Sequence, residues 1–336
     1  MPQLHWYQQL FTRRMLICVF TGFSSGLPLY LLLNLVPAWL KTEHIDLKAI
    51  GLLSLVQFPY TWKFIWSPFI DRFPILGLGR RRGWMLASQL ALILAIAAMG
   101  FLSPQTSLWS IAYLAFGVAF FSASQDIVLD AYRREILSDQ ELGLGNSVHV
   151  NAYRIAGLVP GSLSLIMADH LPWHWVFPIT ALFMLPGLML TLVCKEPAAT
   201  RAPKTLREAV VEPFHEFMQR QGVQNALLIL AFIFLYKLGD SMATSLATPF
   251  YQDIGFSKTE IGLIAKHAGL WPSVIGGMLG GIWMLRLGIN RALWVFGVVQ
   301  LLAIFGFWFL AGVGHDRMVL AGVIGFEAFG VGVGTA

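Results

Sequence analysis

Residues 15–40 read MLICVFTGFSSGLPLYLLLNLVPAWL, twenty-six positions without a charged side chain. A helix needs about 20 mostly apolar residues to cross a hydrocarbon layer about 30 Å thick, so this stretch is long enough to span. Arg13 and Arg14 stand directly before it. A secretory leader has a shorter apolar core, roughly 7–15 residues, and a small-residue cleavage site. The stretch has neither and reads as a retained first span.

Comparable runs recur at 84–102, 107–125, 173–194 and 292–314. Of the 336 residues 57% are hydrophobic and 12% charged, whereas soluble domains are about 25% charged; mean hydropathy is +0.67. This is the composition of an integral membrane protein. Uninterrupted apolar runs of this length exclude barrel strands, which alternate, and leave an all-α membrane bundle. Spacing predicts ten helices, at 15–40, 48–69, 84–102, 107–132, 143–168, 173–194, 223–251, 258–285, 292–314 and 317–336.

The net charge of +5 does not indicate nucleic acid, because the basic residues fall in alternate loops. With the N-terminus in the cytosol, 15 of the 23 basic residues lie in cytosolic loops, as the positive-inside bias requires. The polar stretch 195–222, KEPAATRAPKTLREAVVEPFHEFMQRQG, follows six spans. It reads as a cytosolic linker between a six-helix half (1–194) and a second half (223–336). Within it, Leu206, Val210, Phe214 and Phe217 have the spacing of a helix lying on the membrane surface.

An internal repeat supports two halves. DLKAIGLLSL (46–55) matches SKTEIGLIAK (257–266), and RRGWML (81–86) matches RALWVF (291–296), at offsets of 211 and 210. Two such repeats run past position 336, so the expectation is four helices of the second half, with its last spans missing.

Cys18 and Cys194 lie far apart in or at the ends of apolar runs and read as core residues. His170 and His174 have helical metal spacing, but Pro172 interrupts it, so no metal and no cofactor is expected. No nucleophile elbow or paired acid motif is present, which argues against an enzyme.

The turn WSPFIDRFPILGLGRRRGW (66–84) resembles the signature loop of the major facilitator superfamily. GFSSGLPLYLL (22–32), FPYTWKFIWSPFIDR (58–72), SASQDIVLDAYRREIL (122–137), AYRIAGLVPG (152–161), GFSKTEIGLIAKHAGL (255–270) and GFEAFGVGVGTA (325–336) together resemble the AmpG-type muropeptide permeases. That resemblance implies a proton symporter of the bacterial inner membrane importing anhydromuropeptides for peptidoglycan recycling. Its partners are then a small-molecule substrate, protons and membrane lipid. Asp71, Arg72, Arg80, Arg81 and Arg82 become a conformational latch; topogenic charge is the alternative. Two further readings stay open: another carrier of the superfamily, for acetyl-coenzyme A or a drug-like amphiphile, and a non-transporting sensor or scaffold.

A charge at the centre of a span costs roughly 2.5–3.5 kcal/mol on insertion scales, so such residues face a cavity or a partner. Those within spans are Lys63, Asp126, Asp130, Arg154, Lys237, Asp240, Lys266 and Glu327. Asp130 is expected to pair with Arg134, four residues on. Asp126 lies one turn deeper, and Lys63, eight residues before Asp71, is at comparable depth. Lys63 and Asp126 are therefore candidates either for a proton-coupling pair or for a fixed packing pair, with Glu327 as a further proton-coupling candidate. Arg154, near mid-span, suits capture of substrate carboxylates, or else pairs with Asp126. Lys237 and Asp240, three apart, are spaced to satisfy each other. With Gln125 and Lys266 they complete the substrate-binding candidates.

Overall fold

The structure, a computed structural model, describes residues 12–75, 77–197, 212, 215, 216, 218–220, 222–232, 235, 247, 250, 251 and 253–335. Among these residues every regular element is helical. We number the helices α1 (Arg13–Thr42), α2 (Leu47–Leu53), α3 (Phe58–Trp62), α4 (Ser67–Arg72), α5 (Arg80–Met99), α6 (Pro104–Ile136), α7 (Leu142–Ala156), α8 (Ser164–Ala168), α9 (Trp173–Leu182), α10 (Leu185–Val193), α11 (Val223–Phe232), α12 (Lys258–Leu287), α13 (Ile289–Val313) and α14 (Arg317–Gly334).

Seven helical segments are long and apolar enough to cross a membrane: α1, α5, α6, the α9–α10 pair, the stretch Ala268–Leu287 of α12, α13 and α14. Two predicted spans are not continuous. The segment expected at 48–69 is divided into α2, α3 and α4 by 3₁₀ turns at Ser54–Gln57 and Lys63–Ile65. The cause is proline: Pro59 and Pro68 sit in the first turns of α3 and α4, where a missing N–H is tolerated but a preceding α-helix cannot run through. The segment expected at 143–168 is α7, a π turn at Val159–Leu163 and α8. Of the helix expected at 223–251, Val223–Phe232 is described. The surface helix read at 205–220 lies mostly outside the described residues.

Helix starts also differ from expectation for local reasons. α5 begins at Arg80, four residues early, because Gly79 at φ 100° turns the chain into it, a conformation open to glycine. Gly288, at φ 74°, ends α12 and starts α13.

The described residues form two compact units. Residues 12–138 and 152–197 belong to one; 139–151 and those from 215 onward belong to the other. In the first, Leu27, Leu31, Leu35 and Trp39 of α1 pack with Leu92, Ile96, Val118 and Phe177, all fully buried or nearly so. Trp39 meets Phe177 edge-on at 4.8 Å between ring centroids. In the second, α12 and α14 approach so closely that a Cβ on Gly276 would strike the Phe329 carbonyl, and one on Gly332 the Ser273 carbonyl. Small residues thus let the two backbones meet. Ser147 of α7 donates a hydrogen bond to the Gly277 carbonyl of α12, so the glycines of 276–281 serve packing. Trp109, Tyr113, Trp294, Trp308 and Met318 are each more than 70% exposed. An aromatic and apolar surface of that extent is a lipid-facing one.

Candidate functional site

Asp126 sits on α6 deep within the first unit, yet part of its surface remains open. That combination belongs to a group lining an internal crevice. Ser25 of α1 donates a hydrogen bond to its Oδ1 at 2.5 Å. Lys63 exerts the largest field of any charged group on Asp126, followed by Asp130 and Arg133. Lys63 and Asp126 form no ion pair among the described residues; Lys63 acts on the carboxylate only through space, and the direct contact comes from Ser25. The two proline breaks matter here, because Lys63 occupies the 3₁₀ turn between them.

Two phenols complete the surroundings. Tyr60 of α3 and Tyr153 of α7 both lie within the field of Asp126, and Tyr60 also faces Ser122, one turn before the aspartate. Next to Asp126, the buried Gln125 donates from Nε2 to Ser24 Oγ at 3.1 Å, while its Oε1 is buried without a hydrogen-bond partner. Trp66 Nε1 donates to Ser124 Oγ at 3.0 Å. Ser24, Ser25, Tyr60 and Tyr153 were not read as site residues. Their signal was their place: two hydroxyls inside an apolar first span, and a tyrosine close to Lys63 and another beside Arg154.

Arg154 of α7 is half-buried and lies close enough to Tyr30 for its charge to act on that phenol. Tyr30 stands edge-on to Tyr153, centroids 5.7 Å apart. Asp130 forms its ion pair with Arg133 at 2.8 Å, at i+3. The expected i+4 pairing with Arg134 is thus corrected by one position, since the helix offers both spacings and the shorter reach is taken.

Of the predicted latch residues, Asp71 and Arg80 meet around Arg81, which is 6% exposed. Its guanidinium donates to Asp71 Oδ1 at 2.5 Å and to Glu135 Oε1 at 2.7 and 3.1 Å. Arg80 reaches the same Glu135 oxygen at 3.3 Å. Arg82 donates instead to the carbonyls of Thr191 and Leu192, at 3.1 and 2.8 Å, at the end of α10. The Arg72 guanidinium lies over the Phe73 ring at 5.2 Å and takes no part in this cluster as shown. Glu196 was missed: its carboxylate accepts from the backbone N–H groups of Arg81 and Arg82 at 2.7 and 3.0 Å. Those N–H groups belong to the first turn of α5, where no intrahelical acceptor exists and the helix dipole favours an anion.

In the second unit, Glu327 of α14 is half-buried and acts on Tyr251. The side chain of Lys266, on α12, lies outside the described residues, as do Lys237 and Asp240. Among the described residues no cluster of three or more His, Cys, Asp or Glu has the arrangement of a metal site.

The profile of the Major Facilitator Superfamily matches residues 10–336. A protein of Haemophilus influenzae described as uncharacterized is 51% identical over 98% of this chain and 80% of its own length. The anhydromuropeptide permease of Escherichia coli is 43% identical over 98% of this chain and 67% of its length. A Rickettsia prowazekii protein described as putative transporter AmpG 3 is 37% identical over 88% of this chain and 73% of its length. The solved structure of the proton:xylose symporter XylE bound to 6-bromo-6-deoxy-D-glucose superposes with a TM-score of 0.58 at 12% identity, covering 98% of this chain and 81% of that one. At that identity the likeness concerns the fold alone.

Proposed function

The chain belongs to the AmpG-type permeases of the major facilitator superfamily, and from that premise we propose that it is a secondary transporter importing anhydromuropeptides together with protons. It is a multi-pass membrane protein, and its relatives are permeases rather than enzymes. The reading extends to ten spans arranged as two halves, 1–194 and 223–336, joined by a cytosolic linker at 195–222, in the inner membrane with the N-terminus in the cytosol. Its support is the arginine excess in alternate loops.

One observation carries the coupling: a carboxylate, Asp126, deep in the bundle, open on one side, bonded to Ser25 and within the field of Lys63. A proton on Asp126 cancels its charge and removes the attraction to Lys63. Loading the proton therefore changes which arrangement of α3, α6 and the Lys63 turn is favoured, and a ligand shifts a conformational equilibrium only through such a differential interaction. Arg154 supplies a fixed cation for the carboxylates of the substrate's peptide part. Gln125, Lys266, Lys237 and Asp240 are assigned to substrate contact, and Glu327 to proton coupling in the second half. Asp71, Arg80 and Arg81, joined through Glu135, are assigned to the latch, with Arg82 tying the same helix start to the end of α10; Arg72, over Phe73, stands apart from them.

The test is uptake of labelled anhydromuropeptide by cells lacking their own permease, with and without a proton gradient. Expression of this chain is expected to restore gradient-dependent accumulation, and Asp126→Asn to abolish it while the protein remains inserted. No uptake with inserted wild-type chain removes the transport reading; uptake unaffected by Asp126→Asn returns that residue to a packing role.

A further inference from the structure

Within the first unit, α1 and the stretch from Tyr153, near the end of α7, to Gly161 meet in a ladder with a constant offset. A Cβ at Gly26 would strike the Tyr153 carbonyl, one at Gly157 would come within 2.8 Å of the Tyr30 ring, and one at Gly161 within 3.2 Å of Asn34 Nδ2. The pairs 26/153, 30/157 and 34/161 are all 127 positions apart, at steps of four on both helices. Such i±4 ridges let two helices interlock, and the glycine in each rung lets a large side chain lie across the opposite backbone. Tyr30 and Asn34 are thereby held over a smooth glycine floor.

At the same level both helices leave α-geometry. The π turn Leu31–Leu35 packs against the π turn Val159–Leu163. Single-turn π segments are rare and concentrate at functional sites; here two of them touch. Asn34 lies inside the first, is exposed, and among the described residues nothing hydrogen-bonds its amide. An amide facing hydrocarbon would lose its hydrogen bonds without replacement, so Asn34 opens onto water and solute rather than lipid. One turn away, the Tyr30 and Tyr153 rings meet at 60°, with Arg154 beside Tyr30.

We infer that Tyr30, Asn34 and Tyr153 form the subsite for a pyranose ring of the substrate's saccharide part, adjacent to Arg154, which takes the peptide part. This rests on the reading of the chain as a muropeptide carrier. The tyrosine faces suit the C–H face of a sugar ring, and the Asn34 amide both donates to and accepts from hydroxyl or acetamido groups. Arg154 offers no acceptor and Asn34 no charge, so neighbouring positions on one wall distinguish the two chemical halves of one substrate.

The experiment measures binding to the purified full chain in detergent by calorimetry, with three probes: intact anhydromuropeptide, its saccharide part without peptide, and the free stem peptide. Asn34→Leu, which keeps the branched four-atom side chain at an exposed position, and Tyr30→Leu are expected to weaken intact substrate and saccharide alike by about five- to tenfold. Free-peptide binding stays as in the unmodified chain, and Tyr30→Phe, which keeps the ring, stays within about twofold. Saccharide binding unchanged in both leucine variants, or peptide binding weakened equally, overturns the subsite and leaves the transport reading standing. Failure of the unmodified chain to bind intact anhydromuropeptide overturns both.

Discussion

Replacing Arg81 by Met keeps the aliphatic stem of a side chain that is 8% exposed and removes the one cation shared by Asp71 and Glu135. Removing one partner of a buried ion pair costs about 3–5 kcal/mol, because the other charge stays buried and unpaired. Two features reduce that here. The Asp71 side chain is 37% exposed, so water screens it, and Glu135, 16% exposed, keeps Arg80 at 3.3 Å. The expected loss is therefore about 2–3 kcal/mol. For a chain of this size that corresponds to roughly 5 °C in melting temperature. The assay is thermal unfolding of the purified protein in one detergent at fixed salt, for Arg81→Met, Glu135→Gln and the double variant. If the damage comes from the stranded Glu135 charge, neutralising it recovers part of the loss, and the double variant lies above the sum of the singles by about 1 kcal/mol or more. A loss under about 0.5 kcal/mol for Arg81→Met, or additivity of the two changes within that margin, refutes the account of Arg81 as an electrostatic tie.

Ser25→Ala deletes the hydrogen bond to Asp126, a charged acceptor worth about 1.5–3 kcal/mol per bond, and is expected to lower the initial uptake rate by about tenfold while leaving insertion intact; rates within twofold would show that Ser25 does not hold the carboxylate. Gly26→Ala forces a methyl into the Tyr153 carbonyl and is expected to cost about 1–3 kcal/mol by overpacking, read as a lower melting temperature, whereas Gly117→Ala, where a Cβ meets nothing within 4 Å, leaves it in place. Glu260, before the apolar stretch of α12 begins, is held at a pKa of about 2, first by the Ser257 backbone N–H, then by the Ser257 hydroxyl and Arg317. Its folded value lies below the unfolded one of about 4.3, so its stabilisation is fully present above pH 5 and fades as pH falls toward 2. The melting difference between the wild type and Glu260→Gln is accordingly constant above pH 5 and closes below pH 4; a difference independent of pH down to 2 would remove the ionised cap as its cause.

Much was legible in composition and periodicity, because a hydrocarbon solvent imposes one rule on every residue. Long apolar runs must be helical, so α1, α5, α6, α13 and α14 fall where spacing placed them. Proline and glycine acted against the pattern: Pro59 and Pro68 divided one expected span, and Gly79 started α5 early. Buried charge was equally legible, since its cost singles it out: Asp126 is bonded to Ser25 and Arg81 to Asp71 and Glu135, although Glu135 itself was not read as part of the site.

The chain alone settled that these charges need partners, because that requirement is local and follows from desolvation. Which partners they have was decided only in three dimensions. Ser25 lies 101 positions from Asp126, and Glu196 lies 115 from the N–H it caps. Neutral hydroxyls and loop carboxylates cost little where they stand, so the linear pattern does not say which charge or helix end they serve. The 127-residue offset that seats Tyr30 and Asn34 over glycines is likewise a property of how two helices interlock, since each helix carries only half of every rung.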